Sequence, residues 1–306
     1  MEFGITFFLI LVGFQCLLVF LLMVWTASNS DQVKIVNTFQ HHFSEEDWPY
    51  AQQLTKFVDE QRIFYEFAFV PYLSAKTYQH KGSVVKLVNI QIEEKELTES
   101  ELYLWLDRLG KRHVFDATYL EWLFSYLKSF PEMIKETTQF SIAIDFSDAQ
   151  YEGVIKDIAE LSNAISLPCS NIEIMGNLGV GKNDAVTKKL KLLQSYGIGL
   201  NWNPFGKSIS SLSSIVEYDY QSVTLSLEIV NSVDQKSTFK KFILALVELL
   251  KEKNIRIRLP VIEDKRIVEQ LVHLGIHEFF YTLHSQGMTG ESYIEFCQQH
   301  LQLREA

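Results

Sequence analysis

The sequence predicts an α/β protein, a closed (β/α)8 barrel carried behind a membrane-spanning N-terminus. Three observations predict it. Strand-like and helix-like segments alternate from about residue 61 onward, which implies βαβ units around a parallel sheet. About eight strands fall within about 240 residues, which suits a (β/α)8 barrel better than an open sheet. An uncharged apolar run, Phe3–Trp25, precedes them all. The domains follow: a transmembrane anchor over 1–28, a juxtamembrane connector over 29–60 and the barrel over 61–306. A doubly wound sheet stays compatible with the alternation alone.

The anchor is argued from length and charge. At about 1.5 Å per residue, its 23 residues cross a hydrocarbon core of about 30 Å. A cleaved signal peptide would need a basic leader and a shorter apolar core, and here the only charge before the run is Glu2. Lys34 is the first basic residue after it, so the barrel is expected on the cytoplasmic side of a single-pass inner-membrane anchor. In the connector, Ser44 followed by Glu45 and Glu46 marks a helix start, continuing to about Gln61.

The remaining elements come in order. Phe64–Pro71 is apolar and aromatic, and Val84–Ile92 reads as a strand. Glu99–Leu109 and Ala117–Phe130 read as helices, and Phe140–Phe146 as a strand with Ile142 and Ile144 alternating with smaller residues. Helix Tyr151–Ser166, strand Asn171–Met175, helix Asp184–Tyr196 and strand Gly199–Trp202 follow. A short helix Ser208–Glu217 leads to strand Ser222–Leu227 and the amphipathic helix Lys236–Lys253. Strand Ile255–Val261, helix Arg266–Leu274, strand Glu278–Leu283 and helix Glu291–Leu303 close the chain.

Composition excludes several functions. The net charge of −10 argues against a nucleic-acid surface, which needs a basic face. Three cysteines, Cys16, Cys169 and Cys297, form no CxxC pair, so neither a disulfide framework nor a zinc site is expected. The eight histidines make no HExxH pair, and the acidic run Glu93, Glu94, Glu96, Glu99 and Glu101 reads as a solvated loop and helix start.

Three segments carry a resemblance. Gly197–Gly206, continuing through Ser210, Ser211 and Leu212, is similar to the stretch of the EAL family of cyclic diguanylate phosphodiesterases that runs through Asp-Asp-Phe-Gly to Ser-Ser-Leu. Ile255–Gly275 resembles the family's Ala-Glu-Gly-Val-Glu and the helix after it, with Ile262, Glu263, Leu274 and Gly275 matching. Phe140–Tyr151 resembles a strand ending in Val-Asn-Leu-Ser, with Ser147 matching. Phe69–Pro71 is similar to the family's opening Gln-Pro strand. The resemblance covers about residues 60–303 and implies an EAL-type TIM-like barrel.

It also implies a chemistry that this chain lacks the residues for. The family hydrolyses a phosphodiester with water held between divalent cations, which requires carboxylates at strand ends. The window His80–Ile92, where the signature Glu-Ala-Leu belongs, contains no acid and no Arg. The Asn ligand aligns with Asp145 and the next Glu with Gly176. The Asp-Asp pair aligns with Asn203 and Pro204, and the Lys and Asp of the next strand with Thr224 and Ser226. The first Glu of Ala-Glu-Gly-Val-Glu aligns with Pro260, its last with Glu263, and the late Gln with Phe280. These are vestigial positions. No catalytic residue, metal ligand or cofactor is expected, and Trp202 stands where it could plug the old site.

The expected function is therefore a pseudoenzyme: a membrane-anchored regulator or scaffold that binds another protein in a cyclic diguanylate-related or surface-output pathway. A homodimer stays open. Two alternatives remain. One is a sensor that binds cyclic diguanylate without cleaving it. The other is nucleotide binding through Gly176–Asn183, which approaches the phosphate loop GxxxxGK but ends in Asn183 where Ser or Thr belongs.

Overall fold

The structure, a computed structural model, describes residues 47–144, 151–176, 184–206, 218–232, 237–281, 284 and 286–305. Phe3–Trp25, Asp145, the segment after Gly176 through Asn183 and the expected helix Ser208–Glu217 lie outside the described residues. Among the described residues, no helix is long and apolar enough to cross a membrane.

The connector's helix exists as α1 (Trp48–Asp59), with Pro49 in its first turn, where a missing N–H costs nothing. Its Ala51, Leu54, Phe57 and Val58 are buried in the main core, so this helix belongs to the packed body. The chain then enters β1 (Phe64–Ser74) and turns back into β2 (His80–Ile92). The two are antiparallel, in register from Phe64 against Gln91 to Leu73 against His80. The expectation of a wholly parallel sheet is corrected here. Only residues 75–79 join these strands, far too few for a crossover, and Tyr78 at φ 57° closes a hairpin.

A second hairpin adds β3 (Lys95–Leu97) outside β2. The acidic residues Glu93, Glu94 and Glu96 stand exposed in and beside its turn, the solvated place their charges require. Then come α2 (Glu99–Arg108), opened by a capping box between Thr98 and Glu101, α3 (Arg112–Leu127) and the short α4 (Glu132–Thr137).

From there strands and helices alternate: β4 (Gln139–Ala143), α5 (Tyr151–Ala164), β5 (Ile172–Gly176), α6 (Asp184–Ser195), β6 (Gly199–Phe205) and β7 (Ser222–Leu225). The short α7 (Leu227–Asn231), α8 (Ser237–Glu252), β8 (Arg256–Arg258), α9 (Lys265–His273), β9 (Glu278–Phe280) and α10 (Gly290–Glu305) complete it. The sheet runs β1-β9-β8-β7-β6-β5-β4-β2, and β1 pairs with β2 to close the ring. Eight strands therefore form a closed barrel, with β1 alone antiparallel to both of its neighbours.

The core has two compartments. Phe140, Ile142, Ile172, Ile174, Leu200, Trp202, Val223 and Ile257 face outward and bury against the helices. The residues between them face inward, as the two-residue period of a strand demands. Ring closure needs one position without a side chain. A Cβ on Gly82 would overlap the Gln139 carbonyl and the Tyr72 hydroxyl where β1, β2 and β4 converge.

Candidate functional site

The inward-facing residues stack in two layers of opposite character. The layer toward the N-terminal ends of the parallel strands is ionic. Arg258 of β8 places Nη1 2.9 Å from Glu173 Oε2 of β5 and donates from Nε to Glu278 Oε2 of β9, also at 2.9 Å. Arg256, two residues earlier, donates to Glu278 Oε1 at 2.6 Å and to Gln139 Oε1 at 3.0 Å.

Glu173 is saturated: Ser141 donates to one oxygen at 2.6 Å and Ser222 to the other at 2.5 Å. Asn201 donates to Ser222, and Thr224 donates to Asn201 Oδ1 at 3.1 Å. The Tyr72 ring lies 3.7 Å from the Arg258 guanidinium carbon. Burial alone would raise the Glu173 pKa. Arg258, Arg256 and the two hydroxyls more than offset it, and the carboxyl is held below its ordinary range. Two arginines face two glutamates, so the layer is electrically balanced. It has no charge left over for a ligand.

Toward the C-terminal ends of the strands, where barrel chemistry is placed, the interior turns apolar. Val70, Val84, Met175 and Phe280 are buried against one another and Tyr72, with Ala143 and Val261 packed on them. Phe280 meets Tyr72 edge to face, with ring centroids 6.1 Å apart.

The described positions expected to be vestigial lie at or near this rim. Asn203 and Pro204 lie where β6 shifts register against β7. Thr224 is buried and committed downward to Asn201. Ser226 caps α7, accepting from the Ile229 N–H. Pro260 follows β8 and is partly buried, Phe280 ends β9 within the apolar layer, and Glu263 is exposed on the approach to α9. Gly176 pairs with Trp202, so it takes the outward side of β5, and Met175 is the inward residue at that level. Trp202 does not plug the mouth. It is fully buried in the outer core, against Phe205 and Tyr220 at 5.2 and 5.6 Å, and Phe280 does the filling.

The two-cation chemistry implied by the resemblance asks for converging carboxylates. The described rim supplies an amide, two hydroxyls, two prolines, a phenyl ring and a single exposed carboxylate, Glu263. Among the described residues no group of three or more His, Cys, Asp or Glu side chains is placed to hold a metal ion. Neutral donors would leave the repulsion between two adjacent dications uncompensated. The described residues do not fit the metal pair.

Arg256, Arg258, Glu173 and Glu278 carry the interior, and none was singled out from the sequence. The signal was available. Ile255-Arg-Ile-Arg-Leu259 and Ile172-Glu-Ile174 place charges at alternate positions of strands that should be apolar on both faces.

The sequence profile of the EAL domain family matches residues 66–280. No curated protein sequence matches the chain. Among solved structures, the PaMucR phosphodiesterase in complex with c-di-GMP superposes with a TM-score of 0.65 at 15% identity, over 79% of this chain and 98% of that one. The EAL enzyme Bd1971, in a form with cAMP and cyclic-di-GMP, gives 0.71 at 14% identity, over 90% and 76%. The FimX EAL domain of Xanthomonas citri with c-diGMP gives 0.66 at 9%, over 80% and 95%. At these identities the likeness is one of fold.

Proposed function

Because the chain belongs to the EAL domain family, we propose that it is a member that does not cleave phosphodiesters and that it works by binding another protein, in a pathway related to cyclic diguanylate. The observation that carries this reading is the apolar layer of Val70, Val84, Met175 and Phe280 beneath a rim whose described residues include no converging group of carboxylates. A hydrolytic site needs charge convergence at that level, and here the strands end in packing residues. The apolar run Phe3–Trp25 supports attachment to the inner membrane, with the barrel on the cytoplasmic side.

One observation favours a second reading. PaMucR and the Xanthomonas citri FimX domain share this fold in structures that hold c-di-GMP. Binding without hydrolysis would be the corresponding role. Against it, His80–Ile92 offers neither an acid nor an Arg to hold a phosphate or a guanine. Calorimetry decides between them. The detergent-solubilised chain, titrated with cyclic diguanylate in Mg²⁺ or Ca²⁺, is expected to give no heat. A dissociation constant of about 1 μM or tighter, roughly −8 kcal/mol, would establish the sensor instead. Turnover of cyclic diguanylate with Mg²⁺ or Mn²⁺ would refute both.

A further inference from the structure

Among the described residues, strand β1 has an open edge. On one side it pairs with β2 along its whole length. On the other, among the described residues, it pairs with β9 only over Tyr72–Ser74 and with Met288 at Phe69. The Phe69 N–H donates to the Met288 carbonyl and the Met288 N–H donates back, both at 2.9 Å. Backbone groups alternate along a strand, so Phe67 is the next residue whose N–H and C=O point to that side. No described backbone group meets them there. Beside this edge runs a groove of about 840 Å³, walled by Phe64 and Phe67 of β1 and by Trp122, Ser125 and Tyr126 of α3. Thr289 closes one end. Phe64, Trp122 and Tyr126 are 55%, 44% and 39% exposed. The Tyr65 hydroxyl, in a residue that also lines the groove, is buried with no hydrogen-bond partner among the described residues.

We propose that this groove takes an extended segment of a partner protein, added to β1 as an antiparallel strand. An edge N–H and C=O pair calls for an extended backbone, and a helix would leave both unpaired. The Met288 bridge fixes the direction, because it already continues this edge in the antiparallel sense until Thr289 turns away into α10. Thr289 already stands opposite Ala68, so the open stretch from Phe64 to Phe67 accommodates about four residues, roughly 14 Å of strand. Side chains on the α3 side meet Tyr65, Phe67, Trp122 and Tyr126. Those on the other side meet the exposed Glu66 and water. The partner segment is therefore apolar at alternate positions and polar between them. The inference rests on the reading that the protein acts by binding another protein, and it names the surface.

The test is a random decapeptide display against the whole chain in detergent micelles, with selected peptides measured by fluorescence polarisation. Selected sequences are expected to alternate apolar and polar residues over about four positions. Methylating the backbone nitrogens on the β1-facing parity, or changing the exposed Trp122→Lys, is expected to weaken binding at least about tenfold. Phe67→Pro should do the same, since it removes the outward N–H while leaving the ladder to β2 intact. Selection of a three-to-four-residue apolar period, of no pattern, or of peptides indifferent to N-methylation and to Trp122→Lys overturns the proposal. A native partner that binds the chain and ignores Trp122→Lys overturns the groove but leaves the protein-binding reading standing. Finding no protein partner at all removes both.

Discussion

Arg258 and Glu173 meet at 2.9 Å inside the barrel with neither side chain exposed to solvent. Such a pair is weak evidence for net stability and strong evidence for interdependence, because losing one member strands the other. Arg258→Leu is expected to lower unfolding stability by about 3–5 kcal/mol in urea titrations. The double change Glu173→Leu, Arg258→Leu should cost less than Arg258→Leu alone, since Arg256 and Glu278 still pair at 2.6 Å. Additive losses would mean that the two residues are not coupled.

The same carboxylate sets a pH dependence. The folded pKa of Glu173 lies below its unfolded value, so its contribution is present above the unfolded pKa and is lost as pH falls through the folded one. The stability gap between the protein and Glu173→Gln should therefore be full above about pH 5 and shrink progressively below about pH 4.5. A gap that widens on acidification would show that Glu173 is protonated in the folded state.

At the rim, replacements on several strands act together, so restoring some of them should not restore a reaction. Asn203→Asp with Pro204→Asp, and the same pair with Phe280→Gln, are expected to give no metal-dependent release of linear dinucleotide above buffer. Phe280→Ala is expected to destabilise by about 3–5 kcal/mol, because it opens a void in the apolar layer. Turnover in the unmodified chain that disappears on Asp145→Ala would show that a reduced metal site works.

The N-terminal run predicts how the protein fractionates. Full-length chain should sediment with membranes and stay there through carbonate extraction. A mature N-terminus near Asn29, found by mass spectrometry, would mean that the run is a cleaved leader.

Much of the barrel was legible in the sequence because its helices announce themselves. Lys236–Lys253 carries a clear apolar stripe and forms α8 over Ser237–Glu252, and the expected Glu99–Leu109 starts at its capping box as α2. Strand directions were not legible. Phe64–Pro71 looks the same run either way, and only the short 75–79 connection made β1 antiparallel. The rim was legible only as residue types, since Pro204, Pro260 and Phe280 cannot ligate a cation through their side chains whatever their placement. What fills the barrel could not. Arg256, Arg258, Glu173 and Glu278 look like surface charges until a closed ring brings them face to face, and Trp202 looks like a plug until its strand's parity turns it outward.

The reversed first strand has a mechanical consequence. In a barrel whose strands all run one way, the chain would enter at the floor. Here β1 enters at the mouth and runs down the wall, so a pull directed along β1 from its Phe64 end runs parallel to the strand's own axis. Its rungs with β2, from Phe64 opposite Gln91 to Leu73 opposite His80, would then be loaded side by side in shear rather than opened one after another. Against a pull in that direction, the strand that closes the ring would resist as a whole ladder, where a peeled edge would yield rung by rung.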